Sequence, residues 1–144
     1  MIDLTSVSKR YAMGEVTVTA LDGVSLHVET GEFAVVLGPS GSGKTTLLNL
    51  IGALDIPTEG TLCVNHVDLS ALPQAERFKF RRETVSFIFQ TFNLFPSLTA
   101  RENVELALDL TPNGRNPRPD AKEVLASVGL ADRATHFPHE LSGG

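Results

Sequence analysis

The sequence predicts an α/β fold in two parts, a β-rich half carrying one loop-and-helix unit and a mainly helical half after residue 90. Three adjacent stretches predict it. Phe33-Ala34-Val35-Val36-Leu37 is an unbroken apolar run of strand length and partly β-branched character. A glycine-rich stretch follows at once, Gly38-Pro39-Ser40-Gly41-Ser42-Gly43-Lys44-Thr45. Beyond it Leu47, Leu50, Ile51 and Leu54 recur at helical spacing. The expectation is a buried strand, a tight glycine loop and a helix in direct succession.

The middle stretch fits the P-loop (Walker A) pattern, Gly, four residues, then Gly-Lys-Ser/Thr. Glycine opens backbone conformations closed to other residues and lets the chain approach a ligand closely. Successive amides then form an anion nest at the positive end of the following helix. Lys44 is of the right kind to reach β- and γ-phosphates, and the Thr45 hydroxyl to ligate Mg²⁺. The candidate nucleotide contacts are Gly38, Ser40, Gly41, Ser42, Gly43, Lys44, Thr45 and Thr46. An ordinary Gly/Ser turn is the competing reading. Composition alone yields the pattern in on the order of one chain of this length in two hundred, and the flanks lower that figure.

At 144 residues the chain has the size of one ordinary domain. With 42% hydrophobic and 20% charged residues it reads as globular rather than disordered. A formal charge of −5 argues against general nucleic-acid affinity, and none is expected. One cysteine, Cys63, excludes an internal disulfide and suits a reducing compartment; it reads as a small buried hydrophobe in a strand. The N-terminus lacks the pattern of a secretory signal, and no stretch approaches the ~20 apolar residues of a membrane span. A membrane role would need other chains to supply the spanning part.

Taken in order, residues 2 to 37 read as strands. Ile2 and Leu4 alternate with polar neighbours, and residues 16 to 21 are rich in β-branched side chains. Asp22-Gly23 reads as a turn before Val24, Leu26 and Val28 alternate along a further strand. Tyr11, the only tyrosine, reads on its own as a half-buried strand residue. Residues 55 to 60 form a loop. Residues 61 to 67 fit a hairpin with His66 in or near its turn, where a solvated side chain is expected rather than a metal ligand. Residues 71 to 83 are expected to be helical, with Arg77, Lys79, Arg81 and Arg82 forming a solvated basic face or a docking surface for an acidic partner. Residues 84 to 89 alternate into a strand that places Phe87 and Phe89 on one core face. The next loop carries Phe92 and Phe95, for which core packing and partner docking both stay open. Thr99-Ala100-Arg101-Glu102 is a capping-box pattern opening a helix. A loop from Thr111 to Pro119 and a helix from Asp120 to Val128 follow, with Gly129 as its C-cap. The expected boundary between the β-rich subdomain with its P-loop core (about 1–90) and the helical subdomain (about 91–144) lies after Gln90.

The chain ends Leu141-Ser142-Gly143-Gly144. With the P-loop at 38 to 45 and Gln90 after its strand, these four residues give the sequence a resemblance to the ATP-binding subunits of ABC transporters. The resemblance covers essentially the whole chain. Ala20-Leu21-Asp22-Gly23-Val24-Ser25-Leu26, residues 48 to 55, Phe89-Gln90-Thr91-Phe92-Asn93-Leu94 and residues 98 to 104 look similar to the lipoprotein-releasing and macrolide-export branch.

The resemblance implies a P-loop NTPase fold of RecA-like type, with an N-terminal antiparallel β subdomain and a helical subdomain. It implies that Tyr11 stacks on adenine, that Lys44 and the loop amides hold the β/γ-phosphates, and that Thr45 and Gln90 surround Mg²⁺. Leu141, Ser142, Gly143 and Gly144 would form the signature motif, with Ser142 and Gly144 reaching the partner's γ-phosphate in a head-to-tail dimer. A permease subunit would dock near Phe92 and Phe95, placing the protein in the cytoplasm against the inner face of the membrane.

One departure accompanies the match. The family continues past the signature into a Walker B Asp, a catalytic Glu and a switch His. None is present here, so no catalytic residue is assigned, and the expectation is a C-terminally truncated cassette that binds ATP without turning it over alone. Loss of a general base typically costs about 10²–10⁴ in rate. A missing parallel strand would also leave an apolar sheet edge beside residues 33 to 37. The alternatives are a soluble ABC-type ATPase acting as a DNA-repair or translation clamp, and a non-catalytic nucleotide-binding module. A GTPase is disfavoured, because no Asn-Lys-x-Asp segment occurs.

Overall fold

The structure, a computed structural model, describes residues 1–89, 91–110 and 119–142. Gln90, Gly143, Gly144 and all but the last residue of the expected loop from Thr111 to Pro119 lie outside the described residues. The chain divides into two units, Met1–Ser86 and Phe87–Gly144.

The first unit is built on a sheet of order β2-β1-β3-β4, from β1 (Ile2–Met13), β2 (Val16–Val28), β3 (Glu59–Val64) and β4 (Val67–Asp68). All of its pairings are antiparallel. The expected turn at Asp22-Gly23 is corrected: β2 runs straight through it. Both halves of β2 find the same partner in β1, so the chain needs no reversal there. The extra residue is absorbed as a bulge, with Val7 opposite Val24 and Lys9 opposite Leu21. Gly23 takes a left-handed φ of 59° at this point, and its N–H donates to Ser8 Oγ at 2.9 Å. The expected hairpin of residues 61 to 67 is present. Asn65 and His66 both have positive φ, as a two-residue type I′ connection requires, and His66 is solvent-exposed. Cys63 lies half-buried in β3.

Helix α1 (Lys44–Ile51) lays Leu47 and Leu50 into the core with Leu4, Val7, Leu21, Leu62, Val64 and Leu69. Each fully buried leucine contributes on the order of 1.5–3 kcal/mol of transfer free energy. Helix α2 (Gln74–Thr84) adds Phe80 to that core. Of its basic residues, Arg81 donates from Nη1 to Ala53 O at 2.7 Å, while Lys79 and Arg82 are exposed.

Two expected strands do not form. Residues 33–37 pair with no strand among the described residues and are exposed, Phe33 to 90% and Leu37 to 84%. Residues 85–89 likewise lack a ladder, with Ile88 fully exposed. The expected core pair also fails: Phe89 is exposed, Phe87 is half-buried, and the two rings stack on each other at 5.4 Å. An extended segment becomes a strand by exchanging backbone hydrogen bonds with a neighbour, and neither run has one among the described residues.

The second unit contains α3 (Ala100–Leu110) and α4 (Ala121–Ser127). The capping box forms as expected: Thr99 N–H donates to Glu102 Oε2 at 2.8 Å and Glu102 N–H to Thr99 Oγ1 at 3.3 Å. The next amides of α3 donate to carbonyls of a later segment, Ala100 to His136 and Arg101 to Ala134. Asp120 caps α4 by accepting from Lys122 N–H. Gly129 closes α4 with φ 75°, its N–H on Ala126 O and the Leu130 N–H on Leu125 O, the paired bonds of a Schellman motif.

Candidate nucleotide-binding site

The glycine loop leaves the extended run at Gly38 and enters α1 at Lys44. Gly43 caps the helix in the left-handed region, φ 89°, and contributes no side-chain cap. Within this loop it is the position where glycine is most strictly required. A Cβ there would stand 2.5 Å from the Ala20 carbonyl and 2.9 Å from Leu21 Cδ2 of β2. Gly41 is also left-handed, φ 80°. The Lys44 ammonium folds back over its own loop, donating to Gly38 O at 2.8 Å and Pro39 O at 2.7 Å, with Ser42 Oγ at 3.5 Å. Inside the loop, Ser42 N–H donates to Pro39 O. The amides of Gly41, Gly43, Lys44, Thr45 and Thr46 have no acceptor among the described residues. Unsatisfied donors at a helix N-terminus, next to a lysine, make a site suited to an anion of several oxygens.

Gly38, Ser40, Gly41, Ser42 and Thr45 are solvent-exposed, whereas Gly43, Lys44 and Thr46 are half-buried. Tyr11 is half-buried on β1, as its sequence context indicates. Its hydroxyl donates to Asp55 Oδ2 at 2.9 Å. Burial raises the Tyr11 pKa, helped by the Asp55 carboxylate, while a hydrogen bond with the Thr46 side chain works the other way. Tyr11 and the first turn of α1 are therefore neighbours.

Two residues beside Tyr11 escaped the reading from sequence. Lys9 is 8% exposed, pairs with Asp55 Oδ1 at 2.6 Å and donates to Ile56 O at 2.8 Å. Its ammonium also lies 4.9 Å from the centre of the Tyr11 ring. Burial acts to raise the Asp55 pKa, but hydrogen bonds from Lys9, the Ile56 amide and Tyr11 outweigh it and hold the carboxyl below its usual value. The period-2 spacing of Lys9 and Tyr11 on one strand was the available signal for Lys9. Asp55 carried none, because its partners lie 44 and 46 positions away.

The remaining expected residues belong to the second unit or lie outside the described residues. Phe92 and Phe95 are exposed, at 60% and 56%. Asn103 of α3 pins their loop, accepting the Phe95 N–H at 2.9 Å and donating from Nδ2 to the Phe95, Leu98 and Thr99 carbonyls. Phe92, Leu94, Leu130, Leu141 and Ser142 line a cavity of about 680 Å³ within this unit. Gln90, Gly143 and Gly144 are outside the described residues.

No cluster of three His, Cys, Asp or Glu suited to a metal occurs among the described residues. Of the expected magnesium ligands, the described residues include the exposed Thr45 hydroxyl. That fits Mg²⁺ in the manner of phosphate sites, where one or two protein oxygens are joined by water and phosphate.

The family model described as ABC transporter matches residues 21–144. The ABC transporter ATP-binding protein MJ1508 of Methanocaldococcus jannaschii is 46% identical over 145 residues, which span 100% of this chain and 65% of that protein. The macrolide export ATP-binding/permease protein MacB of Rhodopirellula baltica is 44% identical over 147 residues, 100% of this chain and 22% of its own length. Among solved structures, the dimeric ATP-binding cassette MJ0796, in a post-hydrolysis state bound to ADP and Pi, matches with a TM-score of 0.85 at 43% identity. That match covers 99% of this chain and 64% of the other. The chain thus spans slightly less than two thirds of MJ1508 and of the MJ0796 cassette.

Proposed function

This chain belongs to the ABC transporter family, and from that premise we propose that it is the ATP-binding part of a subunit that drives transport through a membrane partner. The observation that carries the reading is the loop at 38–45, where Lys44 and the unengaged amides at the start of α1 converge. A triphosphate offers these donors more acceptors than the loop carbonyls do. Lys44 transfers its hydrogen bonds from Gly38 O and Pro39 O to the β- and γ-phosphates, and the amides of residues 41 and 43 to 46 supply the rest. Tyr11 stands beside the first turn of α1 and takes the adenine.

Thr45 and Gln90 are the residues to hold Mg²⁺. The ion supplies charge neutralisation on the phosphate oxygens when bound. Leu141, Ser142, Gly143 and Gly144 serve a second cassette in trans. The dimeric state of the MJ0796 structure supports this pairing. The permease docks on the loop bearing Phe92 and Phe95. Two exposed aromatics on a loop pinned by Asn103 favour a preformed contact surface over core packing. No helix among the described residues is long and apolar enough to cross a membrane, so a separate or fused permease supplies that part. The MacB relative is named as an ATP-binding/permease protein, which supports such a partnership and a place on the inner face of the cell membrane. The subdomain division near residue 90 belongs to the same proposal. Hydrolysis is assigned to a protein of the relatives' length.

The test is Lys44→Ala with MgATP affinity measured by titration calorimetry. Losing a charge-assisted hydrogen bond weakens binding about ten- to a hundredfold. Unaltered affinity in a folded variant overturns the reading.

A further inference from the structure

The Lys9–Asp55 pair is placed as no purely structural ion pair needs to be. Lys9 is nearly buried, and burying an ammonium costs free energy that its partner at best offsets. Every polar contact it makes converges on one spot: Asp55 Oδ1, the Ile56 carbonyl and one side of the Tyr11 ring. Asp55 is equally committed. Oδ1 accepts from Lys9 and from the Ile56 amide, and Oδ2 accepts from the Tyr11 hydroxyl.

Asp55 is also fixed to the helix that the glycine loop opens. The amides of Leu54 and Asp55 both donate to the Asn49 carbonyl, at 2.8 and 3.2 Å, and Asn49 lies within α1. Thr46, in the first turn of that helix, lies close enough to the same hydroxyl to lower its pKa against the effect of burial. The ring of Tyr11 is therefore referenced to the element that starts at Lys44, although Tyr11 itself sits on β1.

We propose that Asp55 and Lys9 are positioning residues for adenine: Asp55 fixes the Tyr11 hydroxyl relative to α1, and Lys9 covers one ring face so that the base stacks on the other. The proposal rests on the reading of Tyr11 as the adenine platform and adds what holds that platform in place. A phenol free to rotate would have to be ordered at each binding event, a cost that pre-organisation removes. The cation on the far face adds its own attraction to the ring.

The experiment compares two affinities, for MgATP and for magnesium tripolyphosphate, by titration calorimetry on the full-length protein. Tripolyphosphate occupies the phosphate loop but carries no base, so the ratio of the two isolates adenine recognition. In the wild type the ratio favours ATP, and Tyr11→Ala lowers it by about ten- to a hundredfold, the range of base–aromatic stacking. Asp55→Asn and Lys9→Met each lower it by about three- to tenfold, the scale of a mis-set side chain, with tripolyphosphate affinity retained. Tyr11→Phe, which keeps the ring and drops the hydroxyl, matches Asp55→Asn. In the Tyr11→Ala background neither substitution lowers the ratio further.

Equal weakening of both ligands by Asp55→Asn and Lys9→Met would mean a structural role alone and overturns the proposal. A ratio indifferent to both substitutions overturns it too. Should Tyr11→Ala itself leave the ratio unchanged, the adenine platform falls and the positioning role with it. Should neither ligand bind the wild type, the phosphate-loop reading has failed first. If Asp55→Asn does not fold, Lys9→Met and Tyr11→Phe carry the same comparison.

Discussion

Strand β1 and the run at residues 33–37 lie in the same unit and meet opposite fates. β1 is the more polar of the two, with Ser8 and Lys9 in its sequence, yet Leu4, Val7, Ser8 and Lys9 are all buried. The run Phe33-Ala34-Val35-Val36-Leu37 contains no polar side chain and is exposed throughout. The difference lies in partners. β1 is paired on both edges, with β2 and β3, and α1 covers the core to which its apolar residues contribute. Residues 33–37 pair with no strand among the described residues. Hydrophobicity supplies the drive to burial, but a strand is buried only where another element offers a ladder and a facing surface.

Truncation in the core is the strongest way to break this contrast. Leu62→Ala, at a fully buried position of β3 facing β1, should destabilise the chain by about 2–5 kcal/mol, read from urea unfolding. Phe33→Ser removes a larger apolar side chain from the bare run. In this 144-residue chain it should change stability by no more than about 0.5 kcal/mol, by the same assay. A loss comparable to that of Leu62→Ala would show that the run is covered after all.

A smaller effect sharpens the comparison through pH. His27 on β2 bridges Asp3 of β1, its register partner, and Glu29, both at 3.0 Å. Hydrogen bonds to Glu29 and then Asp3 raise its pKa above the usual 6.5, with burial opposing weakly. The folded pKa lies above the unfolded one, so the stabilisation is complete below pH 6.5 and fades as pH rises through the folded value. The urea midpoint of the wild type should fall slightly across that window, and His27→Gln should flatten the dependence. The group is exposed, so this is the smallest of the three effects.

The glycine loop was legible in sequence because its chemistry is local. The lysine and its carbonyl acceptors lie within six residues, and the helix begins where the last glycine ends. The capping box at Thr99 and the Schellman closure at Gly129 were legible for the same reason. What failed was pairing. Asp22-Gly23 has turn chemistry, but the flanking segments share β1, and the dipeptide became a bulge. Residues 33–37 and 85–89 have strand composition without a ladder.

Sequence alone therefore determined the glycine loop, the caps at Thr99 and Gly129 and the family, since each depends on residues close together along the chain or on their recognisable order. The tertiary structure decided which apolar runs are covered. It also brought Lys9 and Asp55 together around Tyr11 across more than forty residues. A contact of that span leaves no periodicity to read, because it exists only after the sheet and the helix have closed on each other.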